Sequence, residues 1–162
     1  MNIQTSLTNQ FRASLAMLRQ CVERCPEDIW TSGVRPRYFW QIADHAIFFT
    51  HLYLMQNEEA FAPKEGHRNR CSIADDDPAI DDPYTIQQTL DYIDYVDARV
   101  SEFVDALDLD ADDTGFSWYK KMPKMDHVLL NLRHLHGHIG QMSEILMSNG
   151  IDTDWVSRPT VD

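Results

Sequence analysis

Two histidines four residues apart, His134 and His138, lie in the run Arg133-His134-Leu135-His136-Gly137-His138-Ile139-Gly140-Gln141. If that run is helical, positions i and i+4 stack on one face, and two imidazoles so placed can bind one divalent cation. At about 100° per residue, with His134 at zero, His138 falls at about 40° and His127 at about 20°. The apolar residues Leu130, Leu135, Met142, Ile145 and Leu146 share that arc, whereas His136 falls on the other side beside Leu129 and Met147. The pair therefore faces a core, where imidazole nitrogens must find partners. One reading is two satisfied core histidines. The other is a metal, which satisfies both at once.

A first-row ion usually takes at least one more protein ligand. The segment Asp44-His45-Ala46-Ile47-Phe48-Phe49-Thr50-His51 offers two histidines. On a helix, His45 is surrounded by Ile42, Ala46, Phe49 and Leu52, while His51 projects from a different face. His45 is the better third ligand and His51 the weaker. Three neutral nitrogens suit zinc and nickel, and also iron.

These residues need helices to hold them, and Pro, Gly and Asp clusters divide the chain into four helical segments. The first runs from about Thr5 to Cys25 and closes at Pro26; the second from about Tyr38 to Ala62, between Pro36 and Pro63. The third runs from about Tyr84 to Leu107, with Asp97 breaking its stripe of Ile86, Leu90, Ile93, Val100 and Val104. The fourth runs from about Met125 to Asn149, with Gly150 as its stop. No period-two alternation marks a sheet. The expectation is an all-α fold, a four-helix bundle in one domain over residues 1–162, with a long connection between the second and third helices. The second helix is apolar nearly all round, which predicts cover on both sides and a homodimer with that helix at or near the interface.

The formal charge of −12 argues against nucleic acid or an anionic membrane surface as partner. No run approaches the length of a membrane span, and the opening Met1-Asn2-Ile3-Gln4-Thr5 lacks the pattern of a signal peptide, so the expected location is the cytoplasm. The three cysteines cannot form a fully paired framework within one chain; Cys21 and Cys25 read as small core residues and Cys71 lies in a loop.

The chain resembles the DinB superfamily of metal-binding four-helix bundles, a group that includes thiol-dependent transferases. Asp44-His45 with the aromatics after it, His134-x-x-x-His138-x-Gly140-Gln141, Gly150-Ile151 and the tail Asp154-Trp155-Val156 carry the resemblance. It implies a divalent metal on His45, His134 and His138, with open positions for water or substrate. It also implies a small thiol such as bacillithiol, mycothiol or glutathione, transferred to a small-molecule electrophile or used in an isomerisation. Gly137 stands where relatives often have another histidine. Two further readings are a non-catalytic metal-binding bundle of stress response and a metal-dependent hydrolase.

His127 and Tyr53 are the candidate acid–base or substrate-contact residues, and Gln141 could orient a ligand imidazole. Trp118 and Tyr119 could wall an entrance. Asp108-Leu109-Asp110-Ala111-Asp112 imitates a calcium loop, but Asp113 stands where glycine belongs and Tyr119 where a bidentate Glu belongs. Asp75-Asp76-Asp77 and Asp81-Asp82 read as solvated charges before the third helix.

Overall fold

The computed structural model describes residues 2–34, 37–68 and 82–159. Asp75 to Asp77, Asp81 and Cys71 lie outside the described residues. Six helices and no strand occur among the described residues: α1 (Ile3–Glu23), α2 (Glu27–Trp30), α3 (Phe39–Tyr53), α4 (Ile86–Asp97), α5 (Val100–Asp105) and α6 (Lys124–Ser148). The described part of the chain is all-helical, as its sequence predicts.

Local chemistry sets the helix ends. Asn2 Oδ1 accepts from the amides of Gln4 and Thr5, capping α1. Thr85 and Gln88 exchange side chain for backbone in a capping box that starts α4. At the end of α6, Gly150 takes φ 76°, and the amides of Gly150 and Ile151 return to Met147 and Leu146, a glycine stop of the Schellman kind.

Two segments depart from expectation. The helix predicted from Tyr38 to Ala62 stops at Tyr53. Residues Met55 to Asn57 instead meet the segment around Thr114 and Gly115: Lys124 Nζ donates to the carbonyls of Met55, Gln56 and Thr114, and Glu58 N donates to Gly115 O. Gly115 has φ 76°, and a Cβ there would come within 2.6 Å of Asn57 Cβ, so the close approach requires glycine. Tertiary contact overrides local helix propensity at this end. The predicted third helix divides at Ala98–Arg99, one residue beyond Asp97, whose carboxyl lies half-buried and is pushed up by desolvation against the pull of Arg12. A polar group inside an apolar stripe interrupts the face it would have continued.

α1 packs on α4, α5 and α6; α3 packs on α6 and α4. One core joins them, with Phe11, Leu18, Ile47, Ile93, Val128, Leu135 and Met142 all buried. The all-round apolar character of α3 has a cause within the chain. One flank faces α6, and another, which carries His51, faces α4, with Phe61, Tyr95 and Phe103 around the His51 ring. No helix among the described residues is long and apolar enough to cross a membrane.

Candidate metal centre

α3 and α6 run antiparallel, and a ladder of polar contacts follows their seam. At one end Lys124 Nζ holds the carbonyls of Met55 and Gln56. In the middle Asn131 Nδ2 donates to Thr50 O at 3.1 Å. At the other end His134 Nε2 lies 3.0 Å from His45 Nε2 and 3.1 Å from His138 Nε2. The hydrophobic stripes that pack these helices thus bring a histidine near the start of α3 against the i, i+4 pair of α6.

The three imidazoles each offer a nitrogen, and all three lie within 4.8 Å of one another; no other such group of His, Cys, Asp or Glu occurs among the described residues. An ion that holds imidazole nitrogens at about 2.0–2.1 Å separates two of them by about 3.3 Å at a tetrahedral angle and about 2.9 Å at a right angle. The observed 3.0 and 3.1 Å fall between these values. Such separations suit a shared ion.

The protonation pattern fits as well. His138 Nδ1 lies 2.9 Å from Gln141 Oε1, which can only accept, so the ring proton sits on Nδ1 and the Nε2 lone pair faces the centre. Burial is the main influence that lowers the His138 pKa, with Gln141 opposing it and the Arg37 charge adding to it. Burial, then the neighbouring His138, lowers His134 to about 4. Both rings are therefore neutral at pH 7, the form that ligates. His134 Nδ1 is buried with no hydrogen-bond partner. Phe49 closes one wall, its ring centroid 4.5 Å from His45 and 5.8 Å from His134.

The remaining candidates sit as follows. His51 is turned away, its Nδ1 3.0 Å from the Tyr92 hydroxyl and its ring stacked on Phe103, so it is no ligand to this centre. Gln141 contacts His138, as its spacing suggests. The Tyr53 ring is 6.2 Å from that of His134, but its hydroxyl is engaged with Tyr119 and Trp118. Desolvation and the Tyr119 contact push that phenol well above its ordinary range, so it keeps its proton. His127 is fully buried against Tyr53, Phe116 and Tyr119, and neither ring nitrogen has a partner. Its pKa falls to about 4, first through desolvation and then through Lys124. Trp118 is about half exposed beyond this box, and Tyr119 is partly buried. The aspartates of the imitation calcium loop serve turns: Asp113 accepts from the amides of Gly115 and Lys121, and Asp108 from that of Asp110. Asp82 pairs with Arg68. Cys21 and Cys25 are buried and unpaired.

Sequence reasoning did not find Lys124 as the tie between the exit of α3 and the Thr114 segment. An ammonium in a first helical turn reads as surface charge, and only the antiparallel docking of α3 supplies its three carbonyls. No curated protein and no solved structure matches the chain. The family model of the DinB superfamily matches residues 10–142. That span contains His45, His134, His138 and Gln141 together with nearly all of the helices that place them, and the chain belongs to the DinB superfamily.

Proposed function

We propose that this protein is a metal-dependent transferase that acts through a low-molecular-weight thiol, with a divalent cation on His45, His134 and His138. The observation that carries the reading is the convergence of three imidazole nitrogens from two helices at ligand spacing. Zinc and nickel suit a site of neutral nitrogens best, and iron fits the same donor set. The four long helical segments, with α4 and α5 counted as one, make a four-helix bundle in a single domain. Buried, unpaired cysteines accord with a reducing cytoplasm.

A divalent cation bound there would lower the pKa of a thiol or water and supply a nucleophile at neutral pH. The chain's own residues set the conditions for this. Gln141 fixes the tautomer and orientation of His138. Phe49 and Tyr53 line the centre with apolar surface and limit the water that competes with substrate. Tyr53 can serve through hydrogen bonding but not as a base, since its phenol stays protonated. His127, neutral at pH 7, is the acceptor or base nearest that wall. Bacillithiol, mycothiol or glutathione is the thiol class, and a small electrophile the second substrate.

One observation favours a second reading, a non-catalytic metal-binding bundle. His127 is fully enclosed and the Tyr53 hydroxyl is tied to Tyr119 and Trp118, so neither group reaches the histidine cluster directly. The same observation weighs against a metal-dependent hydrolase, which needs an acid or base near the site to pass a proton to the leaving group. The discriminating experiment incubates zinc- or nickel-loaded protein with each thiol and a chromogenic electrophile. Conjugate formation that His45→Ala abolishes supports the transferase. Loaded protein that gives no conjugate above the uncatalysed rate with any of the three thiols supports the non-catalytic bundle.

A further inference from the structure

The face of α6 that meets α3 is lined with polar side chains. Lys124, His127, Asn131, His134, His138 and Gln141 recur at alternating intervals of three and four residues, the spacing of a helix–helix seam that is ordinarily apolar. Lys124, His127 and Asn131 are fully buried, and His138 nearly so. Each buried polar atom along this seam needs a hydrogen-bond partner. The two ends have theirs: Lys124 Nζ donates to three carbonyls, and His138 Nδ1 donates to Gln141 Oε1. The middle differs. Asn131 Oδ1, His134 Nδ1 and both ring nitrogens of His127 are buried and have no partner.

Two of these atoms are complementary. The Asn131 amide is oriented by its Nδ2, which donates to Thr50 O at 3.1 Å; a carbonyl only accepts, so Oδ1 is left as an acceptor. His134 turns its Nε2 to the centre, 3.0 Å from His45 Nε2 and 3.1 Å from His138 Nε2. A ring that gives its Nε2 lone pair to an ion carries its proton on Nδ1, so His134 Nδ1 is then a buried donor. Donor and acceptor belong to residues three apart on one helix face, whose Cβ atoms are about 5–6 Å from each other. At that spacing one water, bonded at about 2.8 Å on each side, joins the two groups. The neighbouring hydroxyls are engaged elsewhere: that of Thr50 donates to Ala46 O, and that of Tyr53 meets Tyr119 and Trp118. His127 stands about two turns from His134, beyond Asn131. The pairing mirrors the one at the open end of the seam, where Gln141, three residues beyond His138, orients that ring directly.

We infer that Asn131 is the positioning residue of His134: its Oδ1 accepts, through one internal water, the hydrogen bond of His134 Nδ1–H, and so holds the Nε2 lone pair on the centre. The inference rests on the metal reading. Its test measures zinc affinity, by competition with a chromogenic chelator, in the parent, Asn131→Leu and Asn131→Asp. Both variants lose the tie to Thr50, but only the aspartate keeps an acceptor for the water. The expected result is affinity weakened about 10–100-fold in Asn131→Leu and restored in Asn131→Asp to within about threefold of the parent or better. Equal weakening in both variants would assign the effect to the Thr50 tie and overturn the inference. Parent affinity in Asn131→Leu would overturn it too and leave the metal site standing, whereas a parent that takes up no zinc would remove both. Nuclear magnetic resonance of the zinc-loaded parent, with nitrogen-labelled histidine, decides the matter if a variant fails to fold. The His134 proton should sit on Nδ1, exchange slowly and show an Overhauser contact with a long-lived water. A zinc-loaded parent without that contact would contradict the role.

Discussion

His138 donates its Nδ1 proton to Gln141, 2.9 Å away and three residues further along α6, and thereby aims its Nε2 at His134 Nε2. The amide is exposed, yet it decides which nitrogen of the His138 ring is free. Gln141→Leu should weaken divalent-metal affinity by about 10–100-fold. Competition with a chromogenic chelator reads the change, and the unfolding midpoint of the metal-free protein should stay within about 0.5 kcal/mol of the parent. An affinity equal to the parent's would mean that the hydrogen bond has no part in orienting the ring.

Lys124 is the only buried lysine among the described residues, and its three carbonyl partners tie the exit of α3 to the Thr114 segment. Lys124→Ala leaves those carbonyls without their donor and empties the space below Phe116, 5.0 Å from the ammonium. The expected cost is about 3 kcal/mol by urea denaturation. Amide exchange should accelerate most between Thr114 and Met122. A loss below about 1 kcal/mol would show that the clasp is incidental.

Acid should destabilise the fold already at pH values above the ordinary carboxylate range. His51 and His127 are buried bases whose pKa values fall to about 4, mainly by desolvation, from an ordinary 6.5. Between these limits the unfolded chain takes up protons that the folded chain refuses, so stability is intact above pH 6.5 and declines as pH falls towards 4. Each histidine contributes up to about 3 kcal/mol to that decline. Chemical denaturation across this range checks the sign, and His127→Phe should flatten part of the slope. Stability that rises on acidification would contradict the burial of neutral imidazoles.

The three clustered histidines were legible because they obey helix geometry. His134 and His138 share a face by spacing alone, and the apolar company of His45 ranked it above His51. Gly150 and Pro26 marked helix ends for equally local reasons. What depended on distant partners was not legible. The stop of α3 at Tyr53 comes from Lys124 and Gly115, more than fifty residues away. Nor does the sequence show that Phe61, Tyr95 and Phe103 fold around His51. The Asp44–His67 pairing joins a helix to a loop residue and has no periodic signature.

The central claim is that His45, His134 and His138 hold one ion. Metal content should be measured on untagged protein and on His138→Ala, before and after incubation with zinc, nickel and iron. The account predicts about one divalent ion per chain in the parent and little in the variant. A parent chain that carries none and takes up none would contradict it and leave three histidines that only pack.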